Sequence, residues 1–159
     1  MAGLAGVIAL AVTIGMPGAA SAQANAGREH FTIVQNGPHG GPVYATGLFN
    51  ANGTNVEHGN QNGPTGTGTF IFPNGTIVAR HTEDPGGSDH FDPVHCVVTF
   101  SGTGHYTLLR GTGAYASVSG HGEFTVHGRL GFAHTATGCS HQQVSGVVIV
   151  EAHGWTRLG

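Results

Sequence analysis

Apolar and polar residues alternate with a period of two along most of the chain beyond residue 30. In 119–130, Phe124 and Val126 share one face, and Glu123, Thr125, His127 and Arg129 share the other. In 144–155, Val148, Val150 and Ala152 oppose Ile149, Glu151, His153 and Trp155. Successive side chains on a strand point to opposite faces, so this pattern predicts β-strands. No dozen residues keep a helical period without Gly or Pro. Strands are expected at 31–35, 43–51, 69–73, 76–81, 94–101, 104–109, 119–130 and 144–155. Asn74-Gly75 and Asn52-Gly53 are expected to close hairpins, because both central positions of a tight turn favour positive φ. Asn36-Gly37 and Asn62-Gly63 fall in Gly/Pro-rich loops. About eight short-connected strands give an all-β fold, a sandwich or a barrel. Glycine at every third or fourth position of the long strands favours an antiparallel barrel, where tight curvature needs it.

One pattern overlies the alternation. Gly102-Thr103-Gly104-His105-Tyr106, Gly111-Thr112-Gly113-Ala114-Tyr115 and Gly120-His121-Gly122-Glu123-Phe124 recur every nine residues, with a relative at Gly66-Thr67-Gly68-Thr69-Phe70. A nine-residue Gly-rich repeat is also the mark of a calcium-binding β-roll. There an Asp follows the second glycine by two residues; here that place holds Tyr106, Tyr115 and Phe124. Aromatic rings cannot supply the hard oxygen ligands calcium takes. No cofactor is therefore expected, and the aromatics read as core anchors beside glycines that let the backbone bend.

The segment from Tyr106 to Tyr115, followed by Gly120-His121-Gly122, resembles the allene oxide cyclase-like barrel superfamily, which includes the plant dirigent proteins. Those chains run from a strand through Gly-Thr-Gly-x-aromatic and a short helical turn into a strand opening with Gly-x-Gly. The similarity covers roughly 104–126 and is shared with short secreted bacterial proteins, often with a Cys just before the motif, as Cys96 is here. It implies an eight-stranded antiparallel barrel with a central cavity. It carries over no catalytic residue.

Composition narrows the rest. Residues 4–14 form an apolar run too short to cross a bilayer, and Ala20-Ser21-Ala22 fits a cleavage site. Residues 1–22 thus read as a secretory signal peptide, cleaved near Ala22 or Ala24. A short segment, 23–30, then leads into one domain, 31–159. No second apolar run is long enough for a membrane span. The 159 residues carry five Arg and no Lys against eight acids, a net charge of −3, so no basic stripe exists for nucleic acid. In a secreted chain the two cysteines, Cys96 and Cys139, are expected to pair. Closing that loop is worth about 4 kcal/mol in the chain-entropy model.

Candidate chemistry rests on three groups. Twelve histidines invite a metal reading, densest at His81, Asp89, His90 and His95. No HExxH or recognisable facial triad accompanies them, and the Pro, Gly, Ser and Asp of 81–95 are what an exposed loop uses for its turns, so a solvated loop is the favoured reading and no metal is expected. Glu123, His127 and Arg129 are catalytic candidates if their face lines a barrel lumen beside Arg80, Glu151 or His153. If that face meets solvent, Phe124 and Val126 form the core, and this is the favoured assignment. Tyr106, Tyr115 and Trp155 are candidate ligand-binding aromatics, with Trp155 also read as a core or plug residue. The favoured function is a secreted, non-enzymatic barrel holding a small apolar or amphipathic ligand in its cavity. A cyclase or isomerase of the kind the resemblance implies, and a structural or interaction protein, are the alternatives.

Overall fold

The structure, a computed structural model, describes residues 25–36, 40–58 and 64–159. The segment read as a signal peptide, the Gly37 half of one loop and Asn62-Gly63 lie outside them. Nine strands follow in order: β1 (Ala26–Gln35), β2 (Gly40–Gly47), β3 (Ala51–His58), β4 (Thr65–Phe72), β5 (Gly75–Glu83), β6 (Ser88–Asp92), β7 (Val97–Gly111), β8 (Ser119–Thr135) and β9 (Gly138–Arg157). Neighbours pair antiparallel from β1 to β5. β5 then pairs with β7, and β7, β8 and β9 continue the sheet until β9 pairs with β1. This closes an eight-stranded antiparallel barrel. The ninth strand, β6, lies outside it against the first part of β7.

Alternation sets the inside and the outside. Phe31, Ile33, Val43, Ile77, Leu108 and Phe124 are among the buried residues of one interior cluster. Phe124 and Val126 point inward, and Glu123, His127 and Arg129 stand exposed on the outer face. On β9, Ala152 is buried while Ile149, His153 and Trp155 are exposed.

The glycine–aromatic repeat becomes a packing code once β7 and β8 are set in register. Phe100 pairs with Gly128, Gly104 with Phe124, and Tyr106 with Gly122. A Cβ on Gly128 would stand 2.1 Å from the Phe100 ring, and one on Gly104 would stand 2.4 Å from that of Phe124. A Cβ on Gly122 would meet the Tyr106 ring at 2.7 Å. Each aromatic therefore lies over the bare backbone of the neighbouring strand, the aromatic rescue of glycine seen in curved sheets. The middle copy does something different. It forms a corner, with Gly113 at φ +58° and a single 3₁₀ turn over Gly113–Tyr115. That corner places Tyr115 5.0 Å from Phe49 and 5.5 Å from Phe72, ring centre to ring centre. These three rings plug one end of the barrel.

The cysteines form the expected disulfide, Cys96–Cys139, with Cα atoms 5.4 Å apart. It ties the entry to β7 to the start of β9, across the far end of the β8–β9 hairpin.

Several expectations are corrected. The β4–β5 turn is Pro73-Asn74, one residue earlier than expected, with Phe72 paired to Gly75. Proline fixes φ near −65°, which excludes the primed turn types. Gly75 takes the positive φ, at +146°. Asn52-Gly53 is not a turn but part of β3, paired with Tyr44 and Val43. Gly53 is there because a Cβ would come within 2.7 Å of the Phe72 ring. The expected strands 94–101 and 104–109 are one strand, β7. Ala26–His30 belong to β1 rather than to a leading segment, since each pairs with β9. Within 81–95, the stretch read as a loop contains the end of β5 and all of β6.

Candidate functional site

The barrel interior holds a cavity of about 340 Å³. It runs from Phe31, Tyr106 and Ala152 toward the end where β1, β3 and β5 finish, at Gln35, His58 and Glu83. Phe31, Phe70, Phe100, Phe124 and Tyr106 give it an aromatic wall, and Val126, Val148 and Val150 an aliphatic one.

Against this largely apolar lining stands one hydrogen-bonded polar cluster, with His58, Glu83 and Gln143 as further polar lining. Glu57 of β3 accepts a hydrogen bond from Asn55 Nδ2 at 2.7 Å and a longer one from Gln35 Nε2 at 3.3 Å. Its other oxygen faces His81 Nε2 of β5 at 3.4 Å. β3 and β5 do not pair with each other; β4 runs between them. The two side chains reach each other because β4 is bare at that point. Glu57 pairs with Gly68, and His81 pairs with Gly66. A Cβ on Gly66 would stand 2.6 Å from His81 Nε2. One on Gly68 would stand 2.9 Å from Asn55 Oδ1 and 3.2 Å from Glu57 Oε1. The first copy of the Gly-x-Gly motif is thus the floor on which Asn55, Glu57 and His81 meet. His81 is further held edge-on by Phe124, with ring centres 6.2 Å apart.

A carboxylate in an apolar cavity would ordinarily hold its proton more tightly. Burial does push Glu57 up, but the hydrogen bonds from His81 and Asn55 and the nearby histidine charge outweigh it, so its pKa lies below the usual value. Glu57 is therefore a fixed negative charge, firmly hydrogen-bonded on one oxygen and loosely met on the other. As a proton-abstracting base it is poorly matched to neutral pH, because efficient general bases titrate near the working pH. As an acceptor for a ligand's polar group it is well placed.

A second carboxyl is buried deeper. Glu29 of β1 is 2% exposed; its Oε2 accepts from the Phe49 backbone N–H at 3.0 Å and its Oε1 has no partner among the described residues. Burial raises its pKa despite those backbone hydrogen bonds. Tyr106 turns its ring to the cavity and buries its hydroxyl beside Gly154, the residue paired with Glu29. Burial, reinforced by the charge of Glu29, pushes the Tyr106 phenol up to about 12.

The sequence candidates divide sharply. Of the aromatics, Tyr106 lines the cavity, Tyr115 plugs the closed end, and Trp155 is 52% exposed on the outer face. Trp155 is neither a plug nor a core residue, because it shares the outward phase of β9 with Ile149 and His153. Glu123, His127 and Arg129 do not line the cavity, and neither do Arg80, Glu151 and His153. Of the metal candidates, His81 points into the cavity, while Asp89, His90 and His95 are exposed on and beside β6. His95 is taken by Asp92 at 2.6 Å. Among the described residues no three His, Cys, Asp or Glu side chains come together as a metal site would require. Glu57, Asn55 and Gln35 escaped sequence reasoning altogether.

Among the described residues, no helix is long and apolar enough to cross a membrane. The chain matches no family model, no curated protein and no solved structure.

Proposed function

We propose that this is a secreted barrel protein, akin to the allene oxide cyclase-like superfamily, that binds a small amphipathic ligand in its cavity. The observation that carries the reading is the cavity itself. Its 340 Å³ falls in the range of small-ligand sites, and it combines mostly apolar walls with one convergent polar cluster. An interior meant only for stability would be filled, since each unfilled space forfeits packing contacts. The disulfide is consistent with an oxidising compartment. The cyclase or isomerase alternative draws less support, because the cavity carboxylate is held below its ordinary pKa instead of being poised near neutrality.

Binding is tested with N-phenyl-1-naphthylamine, a neutral apolar fluorophore whose emission rises in dry surroundings. Native protein should enhance its emission saturably at one site per chain. Val150→Trp, which fills the cavity from β9, should abolish the enhancement while leaving the far-UV circular dichroism of the barrel intact. Enhancement that survives Val150→Trp would place the dye elsewhere and overturn the reading.

A further inference from the structure

The charges around the cavity say more about its ligand than its volume does. All five arginines, Arg28, Arg80, Arg110, Arg129 and Arg157, are exposed, and the chain has no lysine. None of them lines the cavity. Its acids, by contrast, are Glu57 and, at the mouth, Glu83, the latter two residues along the same inward face of β5 as His81. The histidines His58 and His81 are the only lining groups able to carry positive charge among the described residues. A carboxylate or phosphate entering this space would meet two acids and no guanidinium or ammonium.

The free hydrogen-bonding capacity has the same bias. Glu57 Oε1 is already taken by Asn55 and Gln35, and among the described residues its Oε2 has only His81 at 3.4 Å, beyond the usual length of a charge-assisted bond. The open position is thus an acceptor carrying negative charge. Phe124 lies edge-on to His81 with ring centres 6.2 Å apart, and Phe31, Phe70 and Tyr106 line the same cavity. Aromatic faces attract cations through their quadrupoles, and the attraction grows when water is excluded.

We infer that the ligand is a cationic amphiphile: an apolar chain or ring bearing an amine, with its ammonium docked on Glu57 Oε2 among the aromatic rings. The inference rests on the proposed ligand-binding function and specifies its chemistry. The ammonium supplies a closer, charge-assisted donor to Glu57 Oε2 in place of the 3.4 Å His81 contact. Its apolar tail takes the valine-lined wall of β8 and β9. An anionic amphiphile of equal size fills the same space but sets its charge against Glu57.

The test compares three probes that differ only in head group: 4-phenylbutylamine, 4-phenylbutanol and 4-phenylbutyrate, titrated by calorimetry at neutral pH. The amine should bind at least tenfold more tightly than the alcohol, and the carboxylate most weakly. Glu57→Gln should collapse the amine-to-alcohol ratio toward one, whereas Glu123→Gln, on the outer face, should leave it unchanged. His81→Leu removes the competing donor to Glu57 and should raise amine affinity, a result that stands even if Glu57→Gln fails to fold. If the alcohol or the carboxylate binds as tightly as the amine, the inference falls while the cavity-binding function stands. If the amine advantage survives Glu57→Gln, the assignment of its docking group is wrong. If none of the three binds, both the inference and the proposed function are overturned.

Discussion

Gly104→Ala is the sharpest perturbation of the β7–β8 interlock. Gly104 has no left-handed φ, so alanine is allowed by the backbone and only its methyl group matters. That methyl would stand 2.4 Å from Phe124 Cζ and 2.4 Å from the Thr82 carbonyl oxygen. Carbon atoms rest about 3.5–4.0 Å apart, so each overlap is roughly 1 Å. The Phe124 ring can yield a little. The Thr82 oxygen cannot, because it belongs to the β5–β7 ladder that closes the barrel. Overpacking of this kind costs about 1–3 kcal/mol, and the lost flexibility of the unfolded chain returns about 0.4–1 kcal/mol. A net loss of about 1–2 kcal/mol is expected, or about 3–10 °C in Tm for a domain this size. Urea unfolding followed by near-UV circular dichroism measures it. Thr107→Ala, three residues away on the outer face, is the control and should stay within about 0.5 kcal/mol of wild type. Adding Phe124→Leu should recover only the ring's part of the cost, leaving a coupling of about 0.5–1 kcal/mol. If Gly104→Ala melts with wild type, the glycine is not there to seat the ring, and the packing account of the repeat is wrong.

Two further outcomes follow from the buried carboxyls and the disulfide. Glu29 has a raised folded-state pKa, so the unfolded chain releases that proton first, and stability falls as pH rises from the ordinary value of 4.5 through the folded-state value. Glu57 is lowered, so its contribution is complete above 4.5 and is lost as pH falls through its folded-state value. Glu29→Gln should therefore be more stable than wild type at pH 7 and flatten the decline above pH 4.5; a variant weaker at pH 7 with an unchanged pH slope would refute this. Reducing Cys96–Cys139, which closes a separation of 43 residues, should lower the free energy of unfolding by up to about 4 kcal/mol in denaturant titrations. An unchanged midpoint would mean that the link restrains nothing in the unfolded chain.

What could be read from the sequence tracks where side-chain polarity and strand face agree. On β8 the inward Phe124 and Val126 oppose charged neighbours, so period-two alternation gave the correct face, and β9 behaved alike through Val148, Val150 and Ala152. On β3 the pattern is inverted. Its inward residues are Gly53, Asn55 and Glu57, and its apolar Val56 belongs to the opposite phase. Alternation is silent there, because the interior it faces is polar by design of the neighbouring strands. Asn-Gly pairs misled for a related reason. Their turn preference is local, whereas Gly53 answers to Phe72 on the next hairpin and Pro73 takes over the turn at Asn74. The only sequence trace of the Glu57–His81 pair was the first Gly-x-Gly, at 66 and 68, and its meaning depends on a register that spacing alone does not supply.

That trace ties the repeat to the function. In each in-strand copy a glycine removes a side chain from the inner face, and a residue of a flanking strand occupies the space. Between β7 and β8 the occupants are Phe100, Tyr106 and Phe124, and the product is a dry, curved wall. On β4 the occupants arrive from both sides, Glu57 from β3 and His81 from β5, and the product is a charge on the cavity wall. A single methyl at Gly66 would collide with His81, and one at Gly68 with the Asn55–Glu57 pair. Either would separate the acid from its partners without touching the apolar lining. The same glycine spacing that seats aromatic rings on one side therefore decides, on the other, whether the cavity is purely apolar or carries a charged acceptor.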